Sequence, residues 1–204
     1  LKPLTFVICL LPFSWCLYEV VLLLQGHSLG ADPGKEIVLF NGEWTIRMLL
    51  LTLLVTPLRQ LFNLGLLVRV RRMLGLFTFF YASMHLTSYV VFLLELRFED
   101  LFEDLLKRPY IAVGFTAYLL LIPLAVTSNR LLIQKLKKRW KRLHRMIYFI
   151  SLLAVVHIVW LTKSDYTDAA IYGGLVLLLL GFRLYRSDLL PGNFVIPRGN
   201  KSSV

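Results

Sequence analysis

The sequence predicts an all-α membrane protein, a six-transmembrane-helix bundle with both termini cytoplasmic. Three observations predict it. Hydrophobic residues fill 57% of the 204 positions, and the mean hydropathy of +0.69 exceeds what a wetted globular surface allows. Six apolar runs approach or reach the length a helix needs to cross a hydrocarbon layer. Basic and acidic residues segregate into alternate connections between those runs.

The predicted spans are about 4–24, 43–57, 73–95, 110–127, 143–162 and 168–185, within a single domain over residues 1–204. The first run lacks the small-residue cleavage site of a signal peptide, so it is expected to be a retained span. Its Cys9 and Cys16 read as small apolar residues, because no outer connection offers a disulfide partner. The second span is short but can extend upstream through Ile37 to Phe40, and the fourth carries Pro123 near its end.

Assigning the odd connections to the outside puts most of the 23 Lys and Arg inside: Lys2, Arg59, Arg69, Arg71, Arg72, the basic run from Arg130 to Arg145, Arg183, Arg186, Arg198 and Lys201. Of the 12 acids, Asp188 alone joins them. The net charge of +11 is therefore accounted for by topology. Membrane lipid is the expected partner of these cations, and no nucleic acid is implied.

The first outer connection, GHSLGADPGKE, is rich in Gly and Pro and is expected to be irregular. The second, RFEDLFEDLLKRP, spaces Phe98, Leu101, Phe102, Leu105 and Leu106 at helical intervals, with Glu99, Asp100, Glu103 and Asp104 between them. It predicts a short amphipathic helix on the outer surface, either resting on lipid headgroups or docking an extracytoplasmic partner. Ser128 or Asn129 is expected to cap the helix that opens the inner connection TSNRLLIQKLKKRWKR. Trp44, Tyr110, Trp140, Trp160, Tyr172 and Tyr185 fall near predicted span ends, as an aromatic belt requires. Glu19 and Arg47 are charges inside spans. They either pair between the first two helices or mark a proton or quinone contact.

Histidine is costly inside a hydrocarbon-spanning helix, which makes an intramembrane histidine a functional-site hypothesis. His85 and His157 each lie thirteen residues from the inner end of their spans, roughly 20 Å at the helical rise. Two imidazoles at matching depth on separate helices predict an axial pair for heme b, against the alternative of two polar groups hydrogen-bonded across the bundle. On an ideal helix His144 lies roughly 140° around the axis from His157, so it would serve a second site nearer the inner surface or stand as an interfacial residue. Its counterpart on the third span, on nearly the same face as His85, is Arg71. Arg71, Arg72, Arg139, Arg142 and Arg145 could neutralise heme propionates, a flavin phosphate or lipid phosphate. His27 is expected to be solvated. Gly75, Gly114, Gly174 and Gly181 are candidates for close helix or porphyrin approach. A covalent c-type heme is excluded, because no C-x-x-C-H occurs, and no GxGxxG nucleotide loop is present.

The runs RRMLGLFTFFYASMH and RWKRLHRMIYFISLLAVVH, with TPLR at Thr56 to Arg59, KRPYI at Lys107 to Ile111 and LHR at Leu143 to Arg145, carry a resemblance over nearly the whole chain. It resembles the heme-binding membrane subunits of bacterial periplasmic methionine-sulfoxide reductase systems, in the ferric-reductase-like transmembrane group that also contains the NADPH oxidases. The resemblance implies that His85, His144 and His157 are heme-associated, holding iron in one or two hemes b. Arg71 departs from the wider group, which often has histidine there. It further implies a multi-pass protein of the bacterial inner membrane, an electron-transfer subunit rather than the catalytic one. Electrons would come from the quinone pool or a cytoplasmic flavin reductase and pass to a periplasmic molybdopterin-containing methionine-sulfoxide reductase, which repairs proteins under oxidative stress. FMN is associated with the family, and the lack of a fused flavin domain agrees with an external donor. The alternative is a stand-alone ferric or quinone reductase.

Overall fold

The computed structural model describes residues 1–27, 30–162 and 164–189, with side chains described to residue 185. Its helices are α1 (Lys2–Leu24), α2 (Pro33–Phe62), α3 (Val68–Ser88), α4 (Phe98–Lys107), α5 (Pro109–Val126), α6 (Arg130–Leu136), α7 (Lys138–His144), α8 (Met146–Leu161) and α9 (Thr167–Leu189). A 3-10 turn at Gly65–Leu67 leads into α3, and a π-helical turn at Tyr89–Leu93 continues it. Six of the resulting stretches are long and apolar enough to cross a membrane. Among the described residues there is no strand. Arg198 and Lys201, assigned to the inner side, lie outside the described residues, as do the side chains of Arg186 and Asp188.

The second span differs most from expectation. The sequence predicts it from residue 43 with a possible extension through Ile37 to Phe40, and α2 begins earlier still, at Pro33, so that Pro33 to Glu36 at the end of the connection expected to be irregular are helical. The local chemistry explains the earlier start: Pro33 occupies the first helical turn, where its missing N–H costs nothing, and Asp32 accepts a capping bond from the Lys35 N–H at 3.1 Å. Trp44 consequently lies inside the helix rather than at a span end, against Tyr81 of α3.

The extended α2 is the central helix. One core cluster joins its Ile46, Leu49 and Leu53 to Ala117 and Leu121 of α5, Ile147 and Ile150 of α8, and Val176 and Leu179 of α9. A second joins its Met48 and Val55 to Cys9 of α1 and to Leu74, Phe77 and Tyr81 of α3. The main packing pairs are α2 along α3 and α5 along α8.

The expected inner helix begins as predicted, with Asn129 Oδ1 accepting from the Leu132 N–H at 2.8 Å. It ends early, because Lys137 takes a positive φ of 45° and separates α6 from α7. At Arg145 the backbone keeps helical dihedrals but tightens locally between α7 and α8, within one membrane-long stretch from Lys138 to Leu161.

Several polar groups within the spans find partners, although Asn41 Oδ1, Trp44 Nε1 and Arg183 Nε are buried without one among the described residues. Arg47 does not pair with Glu19. It binds Glu43 one turn away on its own helix at 2.6 Å, donates to the Tyr172 hydroxyl at 3.1 Å and lies over the Trp44 ring. Asn41, buried on α2, donates to Ser88 Oγ and to the Ile37 carbonyl, both at 3.0 Å. Beside Pro12 in α1, the fully buried Tyr81 hydroxyl accepts from the Phe13 N–H at 3.1 Å and donates to the Cys9 carbonyl at 2.7 Å. A side chain entering the backbone ladder next to a proline is a recognised way to accommodate a bend.

Removing these groups should be measurable. Tyr81→Phe is expected to lower the unfolding free energy in detergent by about 1–2 kcal/mol, since two backbone groups of α1 lose a partner. Asn41→Ala should cost about 1 kcal/mol. Thermal or denaturant unfolding of each variant beside wild type checks both, and unchanged midpoints would contradict the assigned bonds.

Candidate functional site

His85 sits one turn before the π-helical segment that ends the third span, and His157 near the end of α8. Their rings are the only histidine pair brought together among the described residues, with centroids 6.3 Å apart and planes at 79°. His85 Nδ1 lies 2.8 Å from the Val38 carbonyl of α2, and His157 Nδ1 lies 2.6 Å from the Tyr110 carbonyl of α5. A carbonyl can only accept, so each Nδ1 carries the proton and each Nε2 keeps its lone pair. Neither Nε2 has a protein hydrogen-bond partner.

His85 and His157 are the residues that would hold an iron between them, were one bound. Metal–nitrogen bonds of about 2 Å, with a little over 1 Å from nitrogen to ring centre on each side, sum to about 6 Å, and the observed separation is 6.3 Å. Carbonyl acceptors behind both Nδ1 atoms are the outer-shell partners expected of ligating histidines. No group of three or more His, Cys, Asp or Glu capable of holding a bare metal ion occurs among the described residues.

Glycine makes the approach possible. A Cβ added at Gly114 would stand 2.7 Å from His157 Cε1, and one at Gly42 would stand 3.0 Å from His85 Cε1. Gly114 was singled out in the sequence, whereas Gly42 lay at the edge of the second predicted span with nothing local to mark it. The other three candidates lack this role: Gly75 has its nearest neighbour at 3.8 Å, and Gly174 and Gly181 have none within 4 Å.

His144 stands apart from the pair. Its ring stacks on Trp140 at 3.9 Å, Nδ1 lies 3.2 Å from the Trp140 carbonyl, and Nε2 lies 3.4 Å from Ser128 Oγ. No second imidazole faces it among the described residues. Arg71 is half-buried within Coulombic range of His144, Arg183, Arg59 and Tyr148. Arg72 and Arg145 are exposed, as are Arg139 and Arg142. Arg183, read from the sequence only as an inner charge, is a packing residue: it bonds the Tyr148 hydroxyl, Thr56 Oγ1 at 2.7 Å and the Leu53 carbonyl at 3.3 Å. His27 is exposed, as expected.

The amphipathic helix forms as α4, with Phe98, Phe102 and Leu106 exposed along one side and Leu101 and Leu105 turned inward. Asp104 does not face solvent with the other acids. It accepts from the Tyr89 hydroxyl and pairs with Arg108 at 3.1 Å.

Residues 41–155 match the family described as the ferric reductase like transmembrane component. A protein-methionine-sulfoxide reductase heme-binding subunit, MsrQ, of Xanthomonas campestris pv. campestris is 54% identical over 159 residues, covering 78% of this chain and 73% of the relative. The proteins of the same name from Xanthomonas euvesicatoria pv. vesicatoria and Polaromonas naphthalenivorans are 48% and 42% identical over 187 residues, covering 91% and 90% of this chain and 86% and 84% of the relatives. No solved structure matches. With a six-span helical architecture, a family match across more than half its length and relatives this similar, the chain belongs to the ferric-reductase-like transmembrane family and, within it, to the MsrQ heme-binding subunits.

Proposed function

We propose that this chain is a heme b electron carrier of the bacterial inner membrane, serving a periplasmic molybdopterin-containing methionine-sulfoxide reductase. The observation that carries the reading is the His85–His157 pair, 6.3 Å between ring centres with both Nε2 atoms unpartnered. In this reading both imidazoles hold one heme iron, and the heme supplies one-electron redox chemistry when bound. The chain's own residues orient the rings through the Val38 and Tyr110 carbonyls and keep the site within the apolar bundle.

The charge distribution supports an inner side at the α2–α3 and α5–α8 connections, with both termini cytoplasmic. On that side the donor is the quinone pool or a cytoplasmic flavin reductase, with FMN an associated cofactor by family likeness. A second heme at His144 would need a sixth ligand other than histidine, and the polar side chains near His144 are Ser128 and Arg71. Arg71, Arg72 and Arg145 then neutralise acidic groups at that end. The reductase partner docks on the outer side, where Glu99 and Glu103 of α4 are exposed.

Purified protein in detergent should give a b-type reduced-minus-oxidised spectrum. His85→Ala or His157→Ala should abolish the bis-histidine signature, and its retention in either variant would remove the pair from the iron. A heme count near one per chain assigns the cofactor to this pair alone, whereas a count near two falling to one in His144→Ala assigns the second to His144. Turnover of ferric chelates or quinone without the periplasmic partner would favour the stand-alone reductase.

Replacing Glu99 and Glu103 together with Gln should slow electron delivery to the partner several-fold at low ionic strength while leaving the heme spectrum unchanged. Stopped-flow reduction of the partner at two salt concentrations checks this, and equal rates would move the docking surface elsewhere.

A further inference from the structure

We infer that Gly42 and Gly114 are positioning residues: with the carbonyls one helical turn before them, they set both site imidazoles as Nδ1–H tautomers that leave each Nε2 unprotonated, in the polypeptide itself and before a cofactor arrives. The inference rests on the heme-pair reading for its purpose, but its physical content concerns this chain alone.

The two histidines are held by the same device. Val38 is four residues before Gly42 on α2, and Tyr110 is four residues before Gly114 on α5. Each carbonyl lies 47 residues before the histidine that it receives. Carbonyl, glycine and histidine thus recur in the second half of the chain, displaced by one constant interval. In an α-helix the carbonyl at position i receives the N–H at i+4, so the glycine amide and the imidazole converge on one oxygen, which has two lone pairs to offer. The imidazole must therefore lie directly over the residue at i+4, and a side chain there would occupy its place.

The distances bear this out. An added Cβ at Gly114 would meet His157 Cε1 and Nδ1 at 2.7 Å each, and one at Gly42 would meet His85 Cε1 at 3.0 Å and Nδ1 at 3.1 Å. The bonding atom Nδ1 is among the atoms approached in both cases, so His157 must shift and His85 must give by a few tenths of an ångström, each at the expense of its bond to the carbonyl. In hydrocarbon an imidazole N–H stripped of its acceptor has no water to turn to. Retreat or rotation would instead free the ring to take the Nε2–H tautomer, which cannot ligate through that atom. Glycine is disfavoured in a helix interior relative to alanine, and at these two positions the ring contacts give it a use.

The two cradles are not equally tight. The Gly114 contacts are shorter, so alanine at 114 should disturb His157 more than alanine at 42 disturbs His85.

The test uses the full chain, labelled with 15N-histidine and reconstituted in lipid nanodiscs without heme. Ring-nitrogen NMR of wild type should show His85 and His157 as Nδ1–H tautomers, identified by their loss in the matching His→Ala variants. Gly114→Ala should change the His157 signal alone and Gly42→Ala the His85 signal alone, while Gly174→Ala changes neither. On heme-loaded protein, Gly114→Ala should weaken heme retention at least tenfold or convert part of the low-spin EPR signal to high-spin, with Gly42→Ala milder.

Wild type holding either ring as the Nε2–H tautomer overturns the inference whether or not any variant folds. So do unaltered tautomers and wild-type low-spin spectra in both glycine variants. Failure of the heme reading would look different: wild type would bind no heme, while its tautomers and their response to the glycine substitutions would remain.

Discussion

A nitrogen-bound proton in hydrocarbon needs an acceptor, and supplying one to each of two imidazoles is the constraint on which the rest of this structure depends. The acceptors are main-chain oxygens of α2 and α5, so these two helices must lie against α3 and α8 closely enough for a ring to reach a backbone. The principal packing pairs of the bundle, α2 with α3 and α5 with α8, are the two that this requires. Other side chains follow the same rule, while Trp44 Nε1 and Arg183 Nε, buried without a partner among the described residues, depart from it. Tyr81 serves two backbone groups beside Pro12, Arg183 draws on Tyr148, Thr56 and Leu53, and Arg47 finds Glu43 and Tyr172.

Much of this was legible in the sequence where one helix's composition or the depth of a residue carries the information. The six spans follow from hydropathy, and the meeting of His85 with His157 follows from equal distances to the basic ends of their helices. The cap at Asn129 and the amphipathic α4 follow from local pattern. What could not be read depends on partners distant in the chain. Gly42 matters only because a ring 43 positions later comes to rest over it. Arg183 looks like another inner charge until Tyr148 and Thr56 are seen around it. The early start of α2 had a local signal, Asp32 followed by Pro33, but the surrounding Gly and Pro outweighed it.

The inner end poses a different problem from the site. His144 is engaged by Trp140 and Ser128, and the position across from it holds arginine, which is always charged and donates without accepting. Two imidazoles with unpartnered Nε2 atoms would offer a metal two equivalent donors. One engaged imidazole and a guanidinium would not, which separates the chemistry available at the two levels of the bundle.

Asp104 has a consequence reaching beyond its own helix. It grips the Tyr89 hydroxyl, one turn past His85, and Arg108, two residues before the carbonyl that holds His157. The surface helix α4 is thereby yoked to both halves of the histidine pair through a single carboxylate. Neutralising that carboxylate would release at once the Tyr89 hydroxyl on the turn after His85 and the Arg108 side chain at the start of α5.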